Sequence, residues 1–260
     1  MAQSDISIVL VLPDLLGTYG DAGNAEVLLR RAIWRGYRAR LIRTTRAADI
    51  PEGGDIYVIG GGEDAPQVLA AKELRRVPAL GRGIAAGGSV LAVCAGFQIL
   101  GRVFAGPDGA PVDGLGIFAC ETRRGARRRI GEVVARASAP LDLPPLTGYE
   151  NHAGVTVLDA GARPLAHIVV GSGNDGRGAE GIIDGRSIGT YLHGPVLARN
   201  PGLADLLLES VVGPLEHLDD RLVGDLRGQR LSAAGRSRLR SRWPGVRRST
   251  HDFLIDPVLQ

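Results

Sequence analysis

Ser89-Val-Leu-Ala-Val-Cys94-Ala-Gly96-Phe-Gln98-Ile-Leu-Gly101 is the stretch on which the fold turns. Ser89–Val93 is a short apolar run of the kind shown by a strand buried on both faces. Cys94 follows at once, with a glycine two places on and then a segment of helical character. A strand that delivers a nucleophile-type side chain to a sharp turn ahead of a helix is a nucleophile elbow. Such a turn holds the side chain in a strained conformation, and Gly96 is required where any larger residue would collide with a neighbouring element. The helix N-terminus favours thiolate over thiol, and the N–H of Ala95 is placed to donate to an oxyanion. Spacing alone leaves a buried structural cysteine equally open.

Working outward, Ile6–Leu12 is a second continuous apolar run and reads as the first strand. Val27, Leu28, Arg31 and Trp34 sit at helical spacing, which predicts a helix over Ala25–Arg35 stopped by Gly36. Arg38–Ile42 and Ile56–Ile59 read as strands, Ala65–Arg76 and Pro78–Ala86 as helices, and Gly96–Val103 as the helix leaving the elbow. This alternation predicts an α/β fold, an open, mostly parallel sheet flanked by helices. The loops carrying Gly62 and Cys94 then fall on one sheet edge. Acyl transfer needs two N–H donors at the developing oxyanion, and the triplet Gly60-Gly61-Gly62 can supply the second through Gly62 or Gly61. From about Gly114 the texture changes. Short β-like runs (Glu132–Ala137, Val155–Leu158, Ala166–Val170, Gly181–Ile183, Ser187–Tyr191) predict antiparallel hairpins in the second half. Asn200–Val212 reads as a helix begun by an Asn-Pro pair. We divide the chain into one domain over residues 1–213 and an arginine-rich extension over 214–260.

A cysteine nucleophile needs a base, and the chain has five histidines. His193, in Gly189-Thr-Tyr-Leu-His193-Gly-Pro195, lies where an apolar strand ends in a sharp turn, the natural place for an imidazole at a sheet edge. His152, in Gly148-Tyr-Glu150-Asn-His152-Ala-Gly154, is the second candidate. His167, His217 and His251 read as structural.

Composition narrows the classes of function. The chain of 260 residues is 44% hydrophobic and 23% charged, as in ordinary globular domains. No apolar run approaches the ~20 residues of a membrane-spanning helix. Residues 1–12 lack the basic region and cleavage site of a signal peptide and read as a first buried strand. Cys94 and Cys120, the two cysteines, have no metal-ligand or redox spacing, so no metal site and no disulfide framework are expected, and a reducing cytoplasm is the expected location. Lys72 is the single lysine; that bias fits a GC-rich coding sequence. With a net charge of +3 and 4% aromatics, an arginine-rich RNA-binding module is disfavoured, and no nucleic-acid partner is expected.

Cys94-Ala-Gly96-Phe-Gln98, the glycine loop and Tyr191-Leu-His193-Gly-Pro195 together resemble the class I, triad-type glutamine amidotransferases. Gly148-Tyr-Glu150-Asn-His152-Ala-Gly154 narrows the resemblance to the cobyric-acid-synthase-like branch. The opening Pro13-Asp-Leu-Leu-Gly-Thr-Tyr19-Gly-Asp21-Ala-Gly-Asn24 narrows it to glutaminase subunits of lipid II isoglutaminyl synthase. The resemblance covers residues 6–212. It implies that L-glutamine is hydrolysed through a thioester on Cys94 with His193 as base, and that Arg128 takes the α-carboxylate, with Gln98 lining the same pocket. It also implies a heterodimer with a Mur-ligase-like synthetase subunit (MurT), which holds ATP and Mg²⁺ and meets lipid II, so that no cofactor is expected in this chain. Consistent with a separate synthetase, the sequence has no G-x-x-x-x-G-K-[ST] phosphate loop. Most class I members carry a glutamate two residues after the histidine, where this chain has Pro195. The resemblance implies an acid supplied by the partner, with Glu150 as the internal alternative. Tyr19, Asp21 and Asn24 are assigned to the partner interface or the ammonia path. A glutaminase serving a corrinoid-amidating synthetase and an autonomous cysteine hydrolase remain as rivals.

Overall fold

The computed structural model describes residues 5–242. In chain order its elements are β1 (Ile6–Val11), α1 (Gly23–Trp34), β2 (Ala39–Thr44), β3 (Ile56–Ile59), α2 (Asp64–Arg76), α3 (Ala79–Ala85), β4 (Ser89–Val93) and α4 (Ala95–Leu100). There follow β5 (Val103–Ala105), β6 (Pro111–Asp113), β7 (Cys120–Ala137), β8 (Leu146–Leu158), β9 (Ala166–Val170), β10 (Ala179–Glu180), β11 (Ile182–Asp184) and β12 (Ser187–Thr190). Three helices end the described chain: α5 (Val196–Arg199), α6 (Pro201–Val212) and α7 (Arg221–Arg242).

The first sheet has the order β11-β12-β4-β3-β1-β2. It is parallel throughout except for β11, which runs antiparallel to β12. Every residue of β1, β3 and β4 is buried. That burial explains why these strands read as continuous apolar runs without alternation: helices cover both faces of a central parallel strand. Helix α1 stops where expected, at Gly36, whose φ of 79° a side chain would resist.

The second sheet, order β10-β9-β7-β5-β6 with β8 paired to β7, departs from the predicted short hairpins. Cys120–Ala137 and Leu146–Leu158 are two long strands forming one antiparallel ribbon, with an irregularity between Arg124 and Arg129. The middle of β7 is largely exposed, so no alternating apolar pattern marks it as strand. Ser187–Thr190 joins the first sheet beside β4 instead of the antiparallel half.

Two helix ends also differ from expectation. Helix α4 ends at Leu100, short of Val103, which lies in β5. Its last carbonyls are taken up from outside, Ile99 accepting from Leu115 N–H and Leu100 from Phe118 N–H, so the helix has no need to continue. Helix α6 carries Pro201 in its first turn, yet the Asn200 side chain does not cap it. Asn200 instead holds β8, accepting from Thr147 N–H at 2.8 Å and donating to Thr147 O at 2.8 Å. Trp243-Pro244, His251 and the apolar end lie outside the described residues.

Candidate active site

The carboxyl ends of β1, β3 and β4 lie side by side in the first sheet, with the end of β12 beside that of β4. Four loops therefore meet at one edge. Cys94 leaves β4 with φ 53° and ψ −104°, a conformation that L residues rarely adopt. Its N–H donates to Thr190 O at the end of β12 (2.8 Å), which fixes the strained residue against its neighbour strand. A Cβ on Gly96 would stand 2.7 Å from Ile59 O and 2.8 Å from Ile59 Cγ2, so glycine is what lets α4 pack against β3.

His193 follows β12 and is buried. Its backbone exchanges two hydrogen bonds with Tyr149 (2.9 and 3.1 Å), which hold the histidine against β8. The Tyr19 ring meets the imidazole edge-on with centroids 5.0 Å apart. Asp21, completely buried in the loop after β1, places both carboxylate oxygens on His193 Nδ1, at 3.1 and 3.0 Å. A carboxylate only accepts, so Nδ1 carries the hydrogen. Burial pulls the imidazole pKa down, but Asp21 and the neighbouring Cys94 push it up to about 10. His193 Nε2 is buried with no partner at normal hydrogen-bond geometry; the Cys94 side chain is the group beside the ring that acts on it by charge.

The glycine loop after β3 fits between these groups. A Cβ on Gly61 would lie 3.0 Å from Asp21 Oδ2, 3.0 Å from His193 Cε1 and 3.5 Å from Cys94 Cβ. Gly61 is thus the point around which the cysteine, the imidazole and the carboxylate assemble. Its N–H donates to Asp21 Oδ2 at 2.9 Å and is not available to an oxyanion, which corrects the expectation for Gly61. Gly62 is the alternative that remains. A Cβ there would lie 3.8 Å from Ala95 Cβ, and no hydrogen bond occupies the N–H of Gly62 or Ala95 among the described residues.

An open pocket lies over Cys94, bounded by Gly62, Gln98, Tyr19, Arg128 and His152. Gln98 accepts from Gln67 Nε2 (2.9 Å) and donates to Tyr191 Oη (3.0 Å), so its amide is fixed. Arg128 stands at the mouth, with Nε on Asn151 Oδ1 (2.5 Å) and Nη2 at 3.3 Å from Tyr19 Oη. His152 stacks on Tyr191 with centroids 3.7 Å apart, Nδ1 lying 2.9 Å from Gly154 O. Burial lowers its pKa against the opposing effect of Glu150. The structure gives His152 no bond to Cys94.

Glu150, the internal acid expected beside His193, is elsewhere. Its oxygens accept from Ser172 N–H (2.9 Å) and Gly173 N–H (3.0 Å), and His152 Nε2 lies 3.7 Å away. The first loop, assigned to an interface or tunnel, instead places the Asp21 carboxylate on His193 Nδ1. Asn24 serves that loop, donating to Asp21 O (3.0 Å) and accepting from Leu197 N–H (3.0 Å). The signal was present in strand order: β1 neighbours β3, so a loop acid after β1 falls beside the glycine triplet. Among the described residues no cluster of histidine, cysteine and acid side chains is placed to hold a metal. No helix among them is long and apolar enough to cross a membrane.

Fold and site together are those of a cysteine-type glutamine amidotransferase domain. The CobB/CobQ-like glutamine amidotransferase domain matches residues 7–201, and the chain belongs to that family. Among its relatives is subunit GatD of the glutamine-hydrolysing lipid II isoglutaminyl synthase of Staphylococcus aureus (strain N315), 36% identical over 208 residues, 79% of this chain and 84% of that protein. The GatD subunit of Streptococcus pneumoniae (strain ATCC BAA-255 / R6) is 32% identical over 211 residues, 80% of each chain. A cobyric acid synthase from Sphingopyxis alaskensis is 38% identical over 132 residues, 48% of this chain and 25% of that enzyme. Among solved structures, a chain of PurLQS from Thermotoga maritima superposes with a TM-score of 0.56 at 13% identity, over 80% of this chain and 98% of that one, a likeness of fold.

Proposed function

We propose that this chain is the glutaminase subunit of a lipid II isoglutaminyl synthase. The observation that carries the reading is Cys94 on a strained elbow beside a buried imidazole held by a carboxylate, with the N–H groups of Gly62 and Ala95 free of hydrogen bonds among the described residues. Similarity to two GatD subunits over four-fifths of the chain supports the particular synthase.

In this mechanism glutamine enters with its α-carboxylate on Arg128 and its side-chain amide over Cys94. A protonated imidazole beside a cysteine is the arrangement in which such nucleophiles act as thiolates. The sulfur attacks the amide carbon, and the carbonyl oxygen gains charge between the N–H groups of Gly62 and Ala95. Each such donor lowers the barrier by about 3 kcal/mol. His193 gives its proton to the leaving nitrogen, ammonia departs, and a thioester remains. His193 then takes a proton from water, which hydrolyses the thioester to glutamate. Ammonia passes to a Mur-ligase-like partner (MurT) that holds ATP and Mg²⁺ and amidates D-glutamate of the lipid II stem peptide. The heterodimer works in the cytoplasm, and this chain needs no cofactor of its own. A corrinoid-amidating partner is disfavoured, because the cobyric acid synthase match spans about half of this chain.

The test is glutamate release from glutamine by this chain, alone and with the Mur-ligase-like subunit, for wild type and Cys94→Ala. Release that the variant abolishes, coupled with the partner to amidated lipid II, is the expected result. Full release by Cys94→Ala overturns the reading, and coupling to a corrinoid synthetase instead of the Mur-ligase-like chain overturns its substrate.

A further inference from the structure

We propose that Asp21 is the carboxylate that positions His193, so that the orienting acid is supplied by this chain itself. The inference rests on the glutaminase reading and deepens it. Three observations carry it. Asp21 is completely buried, and both of its oxygens lie at 3.0–3.1 Å from His193 Nδ1. The same carboxylate accepts from Gly61 N–H at 2.9 Å, so one side chain sets the imidazole and the glycine loop together. Its own backbone is fixed, since Asn24 ties Asp21 O to the start of α5 and Thr18 N–H donates to Gly61 O at 3.1 Å.

The chemistry requires such a group. To exchange protons with the leaving nitrogen and the hydrolytic water the imidazole must do so through Nε2, which demands that Nδ1 keep its own hydrogen. A carboxylate at Nδ1 enforces that tautomer and stabilises the imidazolium formed during the reaction, whereas a neutral amide could donate to Nδ1 and force the hydrogen onto Nε2. The other candidate acid, Glu150, has its oxygens on Ser172 and Gly173. The groups that face His193 are Asp21 from the first loop, Cys94 from the elbow, Tyr19 across the ring edge and, at longer range, the buried Glu180 of β10. Of these carboxylates only Asp21 touches the ring.

The experiment uses Asp21→Asn in the full chain, with Cys94→Ser beside it. Glutamine hydrolysis is measured with and without the Mur-ligase-like partner. Independently, the rate of Cys94 alkylation by iodoacetamide is followed by mass spectrometry from pH 5 to 11, and folding is checked by thermal melt. We expect Asp21→Asn to lower kcat by about 10²–10⁴-fold, as loss of the correct tautomer does, with KM changed little. The alkylation inflection belonging to His193 moves to lower pH by about one unit or more, because the charge that raised the imidazole has gone. Wild-type kcat for Asp21→Asn in the complex overturns the inference and places the acid on the partner. A lower melting temperature with an unmoved inflection also overturns it and leaves Asp21 a structural residue. Neither result touches the glutaminase reading, which fails only if Cys94→Ser still hydrolyses glutamine.

Discussion

Cys94 and Cys120 are both buried, but Cys94 sits on the elbow at the pocket whereas Cys120 does not line it. Burial pushes the Cys120 thiol up to about 12, so at neutral pH it stays a thiol and inert. One equivalent of iodoacetamide at pH 7.5 should therefore label Cys94 and leave Cys120 intact in peptide mass spectra; comparable labelling of both would contradict the site. Gly61 offers a sharper probe. Gly61→Ala inserts a methyl 3.0 Å from both Asp21 Oδ2 and His193 Cε1, so the imidazole must shift by tenths of an ångström. A misplacement of about 1 Å costs about 10²-fold in rate, and a shift of tenths of an ångström a part of that. Glutamate release should fall by up to about 10²-fold while the protein stays folded, and unchanged kcat would show that Gly61 does not set the geometry. His193 also links stability to pH. Its folded pKa, about 10, exceeds its ordinary value of 6.5. The stabilisation is therefore present in full below about 6.5 and lost as pH rises through about 10. Urea midpoints of wild type should decline over that window relative to His193→Gln, and parallel curves would refute the linkage.

Helix α1 is held to the end of the described chain by charge. Arg31, nearly fully buried, pairs with Asp205 of α6 at 2.7 Å and with Asp220 at 2.8 Å, and Arg35 reaches Asp205 at 2.8 Å. Removing Asp205 leaves two guanidinium groups short of an acceptor in a place with little water. We expect Asp205→Ala to cost about 2–4 kcal/mol, toward the low side of an uncompensated buried charge because Asp220 remains; a loss under about 0.5 kcal/mol in urea titration would refute the pairing. None of these pairs was readable along the sequence, because Arg31 lies 174 residues from Asp205 and 189 from Asp220. Elements were legible in proportion to how completely the sheet buries them. Ile56–Ile59 and Ser89–Val93 came out with correct bounds because a strand covered on both faces leaves an uninterrupted apolar run. The β7–β8 ribbon did not, because its exposed middle replaces alternation with Arg123, Arg124 and Arg127–Arg129. The site divides in the same way. The elbow is local and its glycine spacing betrays it, whereas Asp21 and His193 are 172 residues apart and only strand order joins them.

At the scale of the molecule the two sheets divide the labour. The first contributes Cys94, His193, Asp21 and the N–H groups from loops at its carboxyl edge, the usual place for a site in an open α/β sheet. The second closes the pocket with Arg128, His152 and Thr122 from its ribbon. The described start of α7 contributes no residue to the lining of that pocket. It packs on β7, β8 and β9, with the Arg227 guanidinium on Pro145 O, and the residue just before it, Asp220, contributes one of the two carboxylates on Arg31. A chain ending at Gly213 therefore keeps every group of the catalytic edge and loses one leg of the Arg31 network along with the packing of α7. That loss should amount to about 1–2 kcal/mol, a fall of about 2–8 °C in Tm for a domain of this size. Single-site alkylation of Cys94 in the truncated chain should match the full chain at pH 7.5, because α7 supplies no side chain to the pocket over Cys94. If the truncated chain instead fails to fold, or melts more than about 15 °C lower, the boundary near residue 213 is wrong and α7 is part of the domain's own core.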